Sequence, residues 1–227
     1  MVTTLYLIRH GETEGAEVRR YKGSIDVPLS KKGIEQMKRV SKFLNRSYKS
    51  YASYMPYKKS LSAVYCSDLS RAINSAGIIS EQHGLKPVII PGFRERNFGI
   101  WEGMSFDEIR EKYPAEFDSW ANNPLKFSPM GGESTLQVRD RVINALDNIL
   151  KNHHPTPPSP SRGEGKGGGE SIVIVSHGGV NRIILCHILG IPLENIFRVE
   201  QDYAAVNIIE FWDKYPIVKL INGAVNG

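Results

Sequence analysis

The chain has 227 residues, of which 41% are apolar and 23% charged, a balance typical of one globular domain. Cys66 and Cys186 sit in apolar stretches, which predicts buried thiols in a reducing compartment and excludes a secreted disulfide scaffold. No run approaches the ~20 apolar residues of a membrane helix, and the apolar segment ending at Arg9 is too short for a signal peptide. We therefore expect a cytoplasmic protein without a membrane partner.

Positive charge is concentrated in one part of the sequence. Residues 19–59 contain twelve Lys or Arg against two acidic residues, whereas the whole chain carries only +5. Such a field favours capture of an anionic ligand. Much of this charge lies on a predicted helix, where a solvated face is the ordinary explanation. Arg19, Arg20 and Lys22 differ because they lie in a loop close to the first histidine of the chain.

The first half of the chain alternates short apolar runs with helical periodicity. Residues 4–8, 63–66 and 88–90 are predicted strands, and Ser30 and Asp68 are predicted to cap the helices between them. Residues 105–121 predict one or two short helices interrupted at Pro114. The apolar positions expected on the inner faces of the first two helices are Ile34, Met37, Val40 and Leu44, then Leu69, Ala72, Ile73, Ala76 and Ile79.

The second half continues the alternation. Ser134 and Gln137 match a capping box at the start of a helix. Residues 172–175 are four consecutive β-branched residues, typical of a central strand buried on both faces, and Gly178 opens the next helix. Residues 206–211 and 217–220 predict a terminal hairpin.

This order of elements predicts an α/β fold. Strands separated by helices favour three layers, with a mainly parallel central sheet and helices on both faces. Residues 152–170 interrupt the pattern because they consist largely of Pro, Gly, Ser and charged residues, which cannot bury enough surface to become ordered. We expect one domain over residues 1–227, with a flexible insertion at about 152–170.

Two histidines follow strands in the same way. His10 comes directly after the first strand, and His177 comes directly after the β-branched strand; each is followed by glycine. Ligands of such sheets bind outside the carboxyl ends of the strands, at a topological switch point. If the two strands are neighbours, both imidazoles reach one site.

Arginines accompany both histidines. Arg9 precedes His10, and Arg71 lies in the first turn of a helix after another strand. Guanidinium groups match phosphate oxygens, and helix N-termini such as the one at Gly178 add unpaired N–H groups. The pattern predicts a phosphate site in which neutral imidazole could act as a nucleophile.

A phosphoryl transfer to His10 also needs a proton donor for the leaving alkoxide. Glu95 is the candidate, because it follows the predicted strand at 88–90. Glu102 lies further out in the same loop and is the weaker candidate. A salt bridge from Glu95 to Arg94 or Arg96 is the structural alternative.

Six stretches carry a family resemblance: R-H-G-E-T at 9–13, D-V-P-L-S at 26–30, S-D-L-S-R-A at 67–72, R-E-R-N-F-G-I-W-E-G at 94–103, G-G-E-S at 131–134 and V-S-H-G-G-V-N-R at 175–182. In this order and spacing the chain resembles the histidine phosphatase superfamily, phosphoglycerate-mutase-like branch, over nearly its whole length except 152–170. Residues 180–211 look most similar to α-ribazole phosphatases of cobalamin biosynthesis.

The resemblance implies a phosphoglycerate-mutase-like fold and a phosphomonoesterase without metal or cofactor. It implies a phosphohistidine at His10, a proton donor at Glu95, and a phosphate held by Arg9, Arg71, His177 and Gly178. The family usually has Asn where this chain has Ala16, and often Gln where it has Lys22. We expect the lost amide to be replaced by Lys22, Arg19 or Arg20, and substrate contacts at Arg20, Lys22 and Gly23.

Several functions remain open from the sequence. The lead is hydrolysis of a small phosphate ester, α-ribazole 5′-phosphate first. A broad-specificity sugar-phosphate phosphatase is the closest alternative, followed by a phosphoglycerate mutase and by a phospholigand-binding protein that has lost catalysis. Nucleic acid is not an expected partner, since residues 19–59 show no recognition motif. Oligomeric state has no signature in the sequence.

Overall fold

The protein is described by a computed structural model. It covers residues 2–18, 20–51, 61–153, 170–212 and 215–225. Within these ranges the strands are β1 (Val2–Arg9), β2 (Leu61–Cys66), β3 (Val88–Ile89), β4 (Glu170–Ser176), β5 (Val206–Trp212) and β6 (Tyr215–Gly223). The helices are α1 (Lys31–Tyr51), α2 (Ser70–Glu81), α3 (Phe106–Lys112), α4 (Pro114–Asn122), α5 (Thr135–His153) and α6 (Gly178–Leu189).

The strands form one sheet in the order β3-β2-β4-β1-β5-β6. The first four strands in this order are parallel, and β5 and β6 add an antiparallel hairpin at one edge. The mainly parallel sheet and the terminal hairpin are therefore confirmed. β4 lies between β1 and β2, so a strand from late in the chain is placed at the centre of the sheet, where both of its faces are covered.

Helices cover both faces of the sheet, which confirms the three layers. One core packs α5 and α6 on the sheet through residues such as Val142, Leu146 and Ile184. The other core packs α1 and α2 on the opposite face through residues such as Met37 and Ala76. After β1 the chain passes to the side of the sheet that α1 covers, whereas after β4 it passes to the opposite side, which α6 covers. The neighbouring ends of β1 and β4 are thus a topological switch point.

Helix α1 is capped as the sequence predicts, and of its predicted inner-face positions Met37, Val40 and Leu44 are buried while the first, Ile34, is not. The Ser30 hydroxyl accepts from Gly33 N at 3.0 Å. Ile34 is exposed, so its predicted place on the inner face is wrong. Gly33 takes that place, because it packs so closely on the backbone of Glu12 that a β-carbon would clash. The inner face then continues through Met37 at helical spacing.

The cap predicted for α2 is also wrong. The N-cap position is Leu69, and no side chain of that residue bonds to the helix. The Asp68 carboxylate instead accepts from Arg94 Nε at 2.9 Å and Nη2 at 2.8 Å. Asp26, from a distant loop, accepts from the backbone N of Ser70 at 2.8 Å and so serves the first turn of α2. Tertiary contacts have replaced the local cap here.

The remaining sequence features agree with the structure. Ser134 and Gln137 form the reciprocal bonds of a capping box at the start of α5, at 2.7 and 3.2 Å. Helix α3 ends at Lys112 and α4 begins at Pro114, as the interruption predicted there requires. Both cysteines are buried free thiols. The ends of the predicted insertion are wrong, because residues 152–153 belong to α5 and Glu170 begins β4. Residues 154–169, with His154, lie outside the described residues.

Candidate active site

The two histidines meet at the carboxyl ends of β1 and β4. Arg9 and Ser176 are register partners in this parallel pair, so the residues that follow them, His10 and His177, leave the sheet side by side. Their ring centroids are 5.0 Å apart and the ring planes are inclined at 63°. Both side chains are buried, with exposures of 4% and 0%. The juxtaposition expected from the sequence is therefore present.

The hydrogen bonds of His10 leave one ring nitrogen available. Nδ1 lies 2.7 Å from the carbonyl oxygen of Gly11, which can only accept, so Nδ1 carries the proton. Nε2 then holds a lone pair and has no protein partner among the described contacts. Burial, followed by the charges of Arg9 and Arg71, lowers the pKa of His10 well below its usual value. A buried neutral ring with a free Nε2 lone pair has the form that a nucleophilic imidazole requires.

His177 is bound at both ring nitrogens. Arg71 Nε donates to Nδ1 at 3.3 Å, and because arginine can only donate, Nδ1 is unprotonated. Nε2 then carries the proton and donates to Ser67 Oγ at 2.8 Å. Burial, then His10 and the two arginines, lower the pKa of His177 well below its usual value. The ring is therefore neutral, and it packs against the ring of His10 rather than among the residues that line the cavity.

Arg71 is held by a loop that the sequence places far from it. Its Nη1 donates to the carbonyl of Ile25 at 2.7 Å and its Nη2 to the carbonyl of Gly23 at 2.6 Å. Gly23 has φ +42°, and a β-carbon there would lie 2.6 Å from the carbonyl oxygen of Arg96. Only glycine fits this turn without strain. Backbone geometry therefore explains Gly23, at which the sequence predicts a substrate contact.

Arg9 is partly buried, and part of its hydrogen-bonding capacity is unused. Nη1 donates to the carbonyl of Gln201 at 2.6 Å, whereas the buried Nε has no hydrogen-bond partner among the described atoms. Burial lowers the pKa of this guanidinium from its ordinary value. A buried donor of a cation that is left unpaired is costly unless an anion accepts from it.

Glu95 follows a short 3-10 helix at Pro91–Phe93, and its side chain contacts the first turn of α6. Its carboxylate accepts from Gly179 N at 3.0 Å and from Arg96 N at 2.9 Å. The predicted alternative, a salt bridge to Arg94 or Arg96, does not form in the described structure: Arg94 binds Asp68, and Arg96 donates to backbone carbonyls and to Thr135. Glu95 is thus a carboxylate at the cavity wall that has no ion-pair partner among the described residues.

Glu102, the weaker candidate for the proton donor, uses its carboxylate in hydrogen bonds to two neighbouring loops. Its carboxylate accepts from the backbone N and Oγ of Ser24, both at 2.7 Å, and from the backbone N of Ile25 at 2.8 Å and Phe98 at 3.1 Å. These bonds hold the 23–25 loop that in turn holds Arg71.

Arg20 and Lys22 line the same cavity as His10, but both already have protein partners. Arg20 forms a bidentate pair with Glu108 at 2.6 and 2.9 Å. Lys22 Nζ donates to Thr13 Oγ1 at 3.0 Å and to the carbonyl of Glu14. Arg19, the third basic residue predicted near the phosphate, lies outside the described residues.

A cavity of about 320 Å³ is lined by Arg9, His10, Arg71 and Glu95, together with Arg20 and Lys22. Within the described chain, Glu95 is the only carboxylate in its lining, against six cationic residues: Arg9, Arg20, Lys22, Arg71, Arg96 and Arg182. The outer wall is largely apolar and aromatic: Tyr21, Phe98, Trp120, Val138, Ile183, Ile196 and Phe197. The cavity therefore suits an ester that combines a dianionic head with an apolar body.

A model of the histidine phosphatase superfamily (branch 1) matches residues 5–223. The chain belongs to this superfamily. It is a phosphoric monoester hydrolase, and the expected α/β architecture is the superfamily fold.

Curated relatives of this histidine phosphatase include phosphoserine phosphatases and an α-ribazole phosphatase. Phosphoserine phosphatase 1 of Hydrogenobacter thermophilus is 29% identical over 96% of this chain and 91% of its own length. The metal-independent phosphoserine phosphatase of Arabidopsis thaliana is 32% identical, covering 82% and 69%. Adenosylcobalamin/alpha-ribazole phosphatase of Escherichia coli is 25% identical, covering 98% and 97%.

Solved structures support the same assignment. The α-ribazole phosphatase of Shigella flexneri superposes with a TM-score of 0.79 at 25% identity, covering 99% of this chain and 98% of the other. YhfR of Bacillus stearothermophilus superposes with a TM-score of 0.78 at 30% identity over the same shares.

Sequence reasoning missed two residues of the histidine phosphatase site. Ser67, which fixes His177, lies inside the S-D-L-S-R-A motif, so the motif could have indicated it. Tyr203 lines the cavity and its ring lies 5.7 Å from that of His10, but no motif marks it. In the described ranges no group of three His, Cys, Asp or Glu side chains could hold a metal ion, and no helix is long and apolar enough to span a bilayer.

Proposed function

We propose that the enzyme hydrolyses its ester through a phosphohistidine at His10. The observation that carries this proposal is the protonated Nδ1 of His10, which leaves the Nε2 lone pair of a buried neutral ring next to two arginines. In the first step Nε2 bonds to phosphorus while the ester P–O bond breaks. The leaving alkoxide takes a proton from the Glu95 carboxyl group.

In the second step water replaces the alkoxide. The Glu95 carboxylate removes a proton from this water, whose oxygen bonds to phosphorus as the P–N bond to His10 breaks. Inorganic phosphate leaves, His10 recovers its lone pair and Glu95 its proton. The bonds from Gly179 N and Arg96 N hold the carboxylate in place through both steps.

The arginines and His177 would stabilise the transferred group. Arg9 and Arg71 supply charge-assisted donors, and phosphate would give the unpaired Arg9 Nε an acceptor. A dianion would also favour protonation of His177. Since Ser67 already accepts from Nε2, the added proton goes to Nδ1, and Arg71 Nε, which donates to that nitrogen before the anion binds, turns its hydrogen bond to the phosphate instead. His177 then becomes a donor to an equatorial oxygen. Gly178, at the start of α6, adds a helix N-terminus to this phosphate site.

We propose α-ribazole 5′-phosphate as the substrate, which places the enzyme in cobalamin biosynthesis. The aromatic and aliphatic outer wall supports this, because an aromatic base covers such a wall better than a small charged alcohol does. Phosphoserine is the second candidate, supported by the names of the relatives at 29% and 32% identity. We also propose that residues 1–227 form one domain.

Phosphate release from α-ribazole 5′-phosphate, phosphoserine and 3-phosphoglycerate in parallel would test the substrate. We expect the highest kcat/KM for α-ribazole 5′-phosphate. A higher value for phosphoserine would reject that choice while leaving the chemistry intact. Mutase transfer between phosphoglycerates without net phosphate release would reject hydrolysis.

The covalent step has its own test. Alkaline quenching during turnover should trap a phosphoenzyme in the wild type and none in His10→Ala. Full activity in His10→Ala would reject the phosphohistidine, and binding of all three esters without turnover would favour the phospholigand-binding alternative.

A further inference from the structure

The loop at residues 200–205 lies behind the proposed nucleophile. Ala204 N donates to the carbonyl of His10 at 3.1 Å, and Arg9 N donates to the carbonyl of Ala205 at 3.1 Å. Arg9 Nη1 donates to the carbonyl of Gln201 at 2.6 Å. The backbone and the side chain that present the phosphate site are therefore both bonded to this one loop.

Tyr203 is the residue of this loop that faces the cavity. Arg9 Cζ lies 3.9 Å from the centroid of its ring, a distance at which a guanidinium stacks on an aromatic face. The ring also lies 5.7 Å from the ring of His10. Tyr203 thus covers one face of Arg9, while Gln201 binds one of its terminal nitrogens.

Buried amides hold the loop in this position. The Gln201 side chain accepts from Asn207 Nδ2 at 2.8 Å and Asn181 Nδ2 at 3.3 Å, and donates to Asn207 Oδ1 at 2.9 Å. Asn181 in turn accepts from Ser176 Oγ, the residue before His177, at 2.6 Å. All four side chains are almost fully buried, so the loop is tied to both histidine-bearing segments.

We propose that Tyr203 is a positioning residue of the phosphate site, which acts by fixing the plane of the Arg9 guanidinium. The bond to Gln201 anchors one nitrogen only, and a long arginine side chain could still rotate about that anchor. The aromatic face removes this freedom before the phosphate arrives. The entropy of the Arg9 side chain is therefore already lost in the free enzyme, and phosphate binding does not have to offset it. The inference rests on the proposed phosphate site at His10 and Arg9.

The test is the affinity for inorganic phosphate in three variants. Tyr203→Leu removes the ring and should weaken phosphate binding about five- to thirtyfold, with a loss in kcat/KM of at least that size. Tyr203→Phe keeps the ring and should bind like the wild type. Tyr113→Leu is the matched control, because that ring contacts Lys112 at 5.4 Å outside the cavity. Equal phosphate affinity in Tyr203→Leu and the wild type would overturn the inference.

A double-mutant cycle separates positioning from loss of stability. In an Arg9→Met background, Tyr203→Leu should leave phosphate affinity unchanged, because the group it orients is gone. A full loss in that background would show a general structural role and overturn the proposal, as would a loss in Tyr203→Phe equal to that in Tyr203→Leu. Absence of a trapped phosphoenzyme in the wild type would instead reject the proposed chemistry.

Discussion

At the scale of single residues, the two histidines differ in which nitrogen their surroundings leave available. A backbone carbonyl binds Nδ1 of His10, whereas a serine binds Nε2 of His177. The sequence predicts that both rings share one site if the strands before them are neighbours, and the pairing of β1 with β4 meets that condition. It does not reveal the tautomers, since the carbonyl of Gly11 and the hydroxyl of Ser67 acquire these partners only through folding.

Glu95→Gln should separate proton transfer from phosphoryl transfer. The amide oxygen can still accept from Gly179 N, but the side chain cannot protonate a leaving alkoxide. We expect kcat for an alkyl phosphate to fall about a hundred- to ten-thousandfold. With p-nitrophenyl phosphate, whose leaving group needs no proton, formation of the phosphoenzyme should remain within about tenfold of the wild type. A loss of equal size for both esters in rapid-quench kinetics would contradict the assignment.

The buried histidines should make stability depend on pH. Their pKa values in the folded protein lie well below 6.5, so below pH 6.5 the unfolded chain binds protons that the folded chain does not. Stability is therefore fully present above pH 6.5 and is lost as pH falls towards the folded pKa values, by up to about 1.4 kcal/mol per pH unit for each histidine.

Thermal unfolding between pH 7.5 and 5 would measure this effect. The double variant with His10→Gln and His177→Gln should lose less stability on acidification than the wild type, since glutamine does not titrate. His83, whose pKa burial also lowers, is present in both proteins and cancels in the comparison. Parallel curves for the two proteins would contradict the prediction.

At the scale of elements, the sequence predicts which helices and strands form better than it predicts their caps and side-chain contacts. The β-branched run gives β4 and the capping box gives the start of α5, because each signal is local. Asp68 fails as a cap because Arg94, brought close by folding, takes its carboxylate. Tyr203 was not predicted because its importance lies in stacking on a residue almost two hundred positions earlier.

The proposed insertion should be removable. His153 Nδ1 and Glu170 Oε2 lie 3.0 Å apart, so the last residue of α5 and the first of β4 are already in contact. Replacing residues 154–169 with an eight-residue Gly-Ser linker halves the loop and should stabilise the fold by about 0.6 kcal/mol or leave it unchanged. Unfolding midpoints and kcat/KM of the two proteins would be compared. A loss of several degrees or of activity would mean that the segment belongs to the folded domain.

At the scale of the whole molecule, the site depends on the order of strands. Placing β4 between β1 and β2 brings His177 next to His10, while the loops at 23–25 and 200–205 converge on the arginines beside them. The same arrangement concentrates positive charge at the cavity. Six cationic residues line it, and among the described residues Glu95 is the only carboxylate there. An anion that binds there contacts segments from all parts of the chain and should stabilise the entire fold.

Orthovanadate, which accepts a fifth ligand as phosphorus does during transfer, should raise the unfolding temperature strongly. At a hundred times its Kd the stabilisation is about 2.7 kcal/mol, which corresponds to roughly 5–11 °C for a chain of this size. Arg71→Met should abolish most of the shift because it removes a buried donor beside His177. Arg110→Met, which removes an exposed guanidinium paired only with Asp107 at 3.5 Å, should retain it. A shift that survives in Arg71→Met would place the anion elsewhere than between the two histidines.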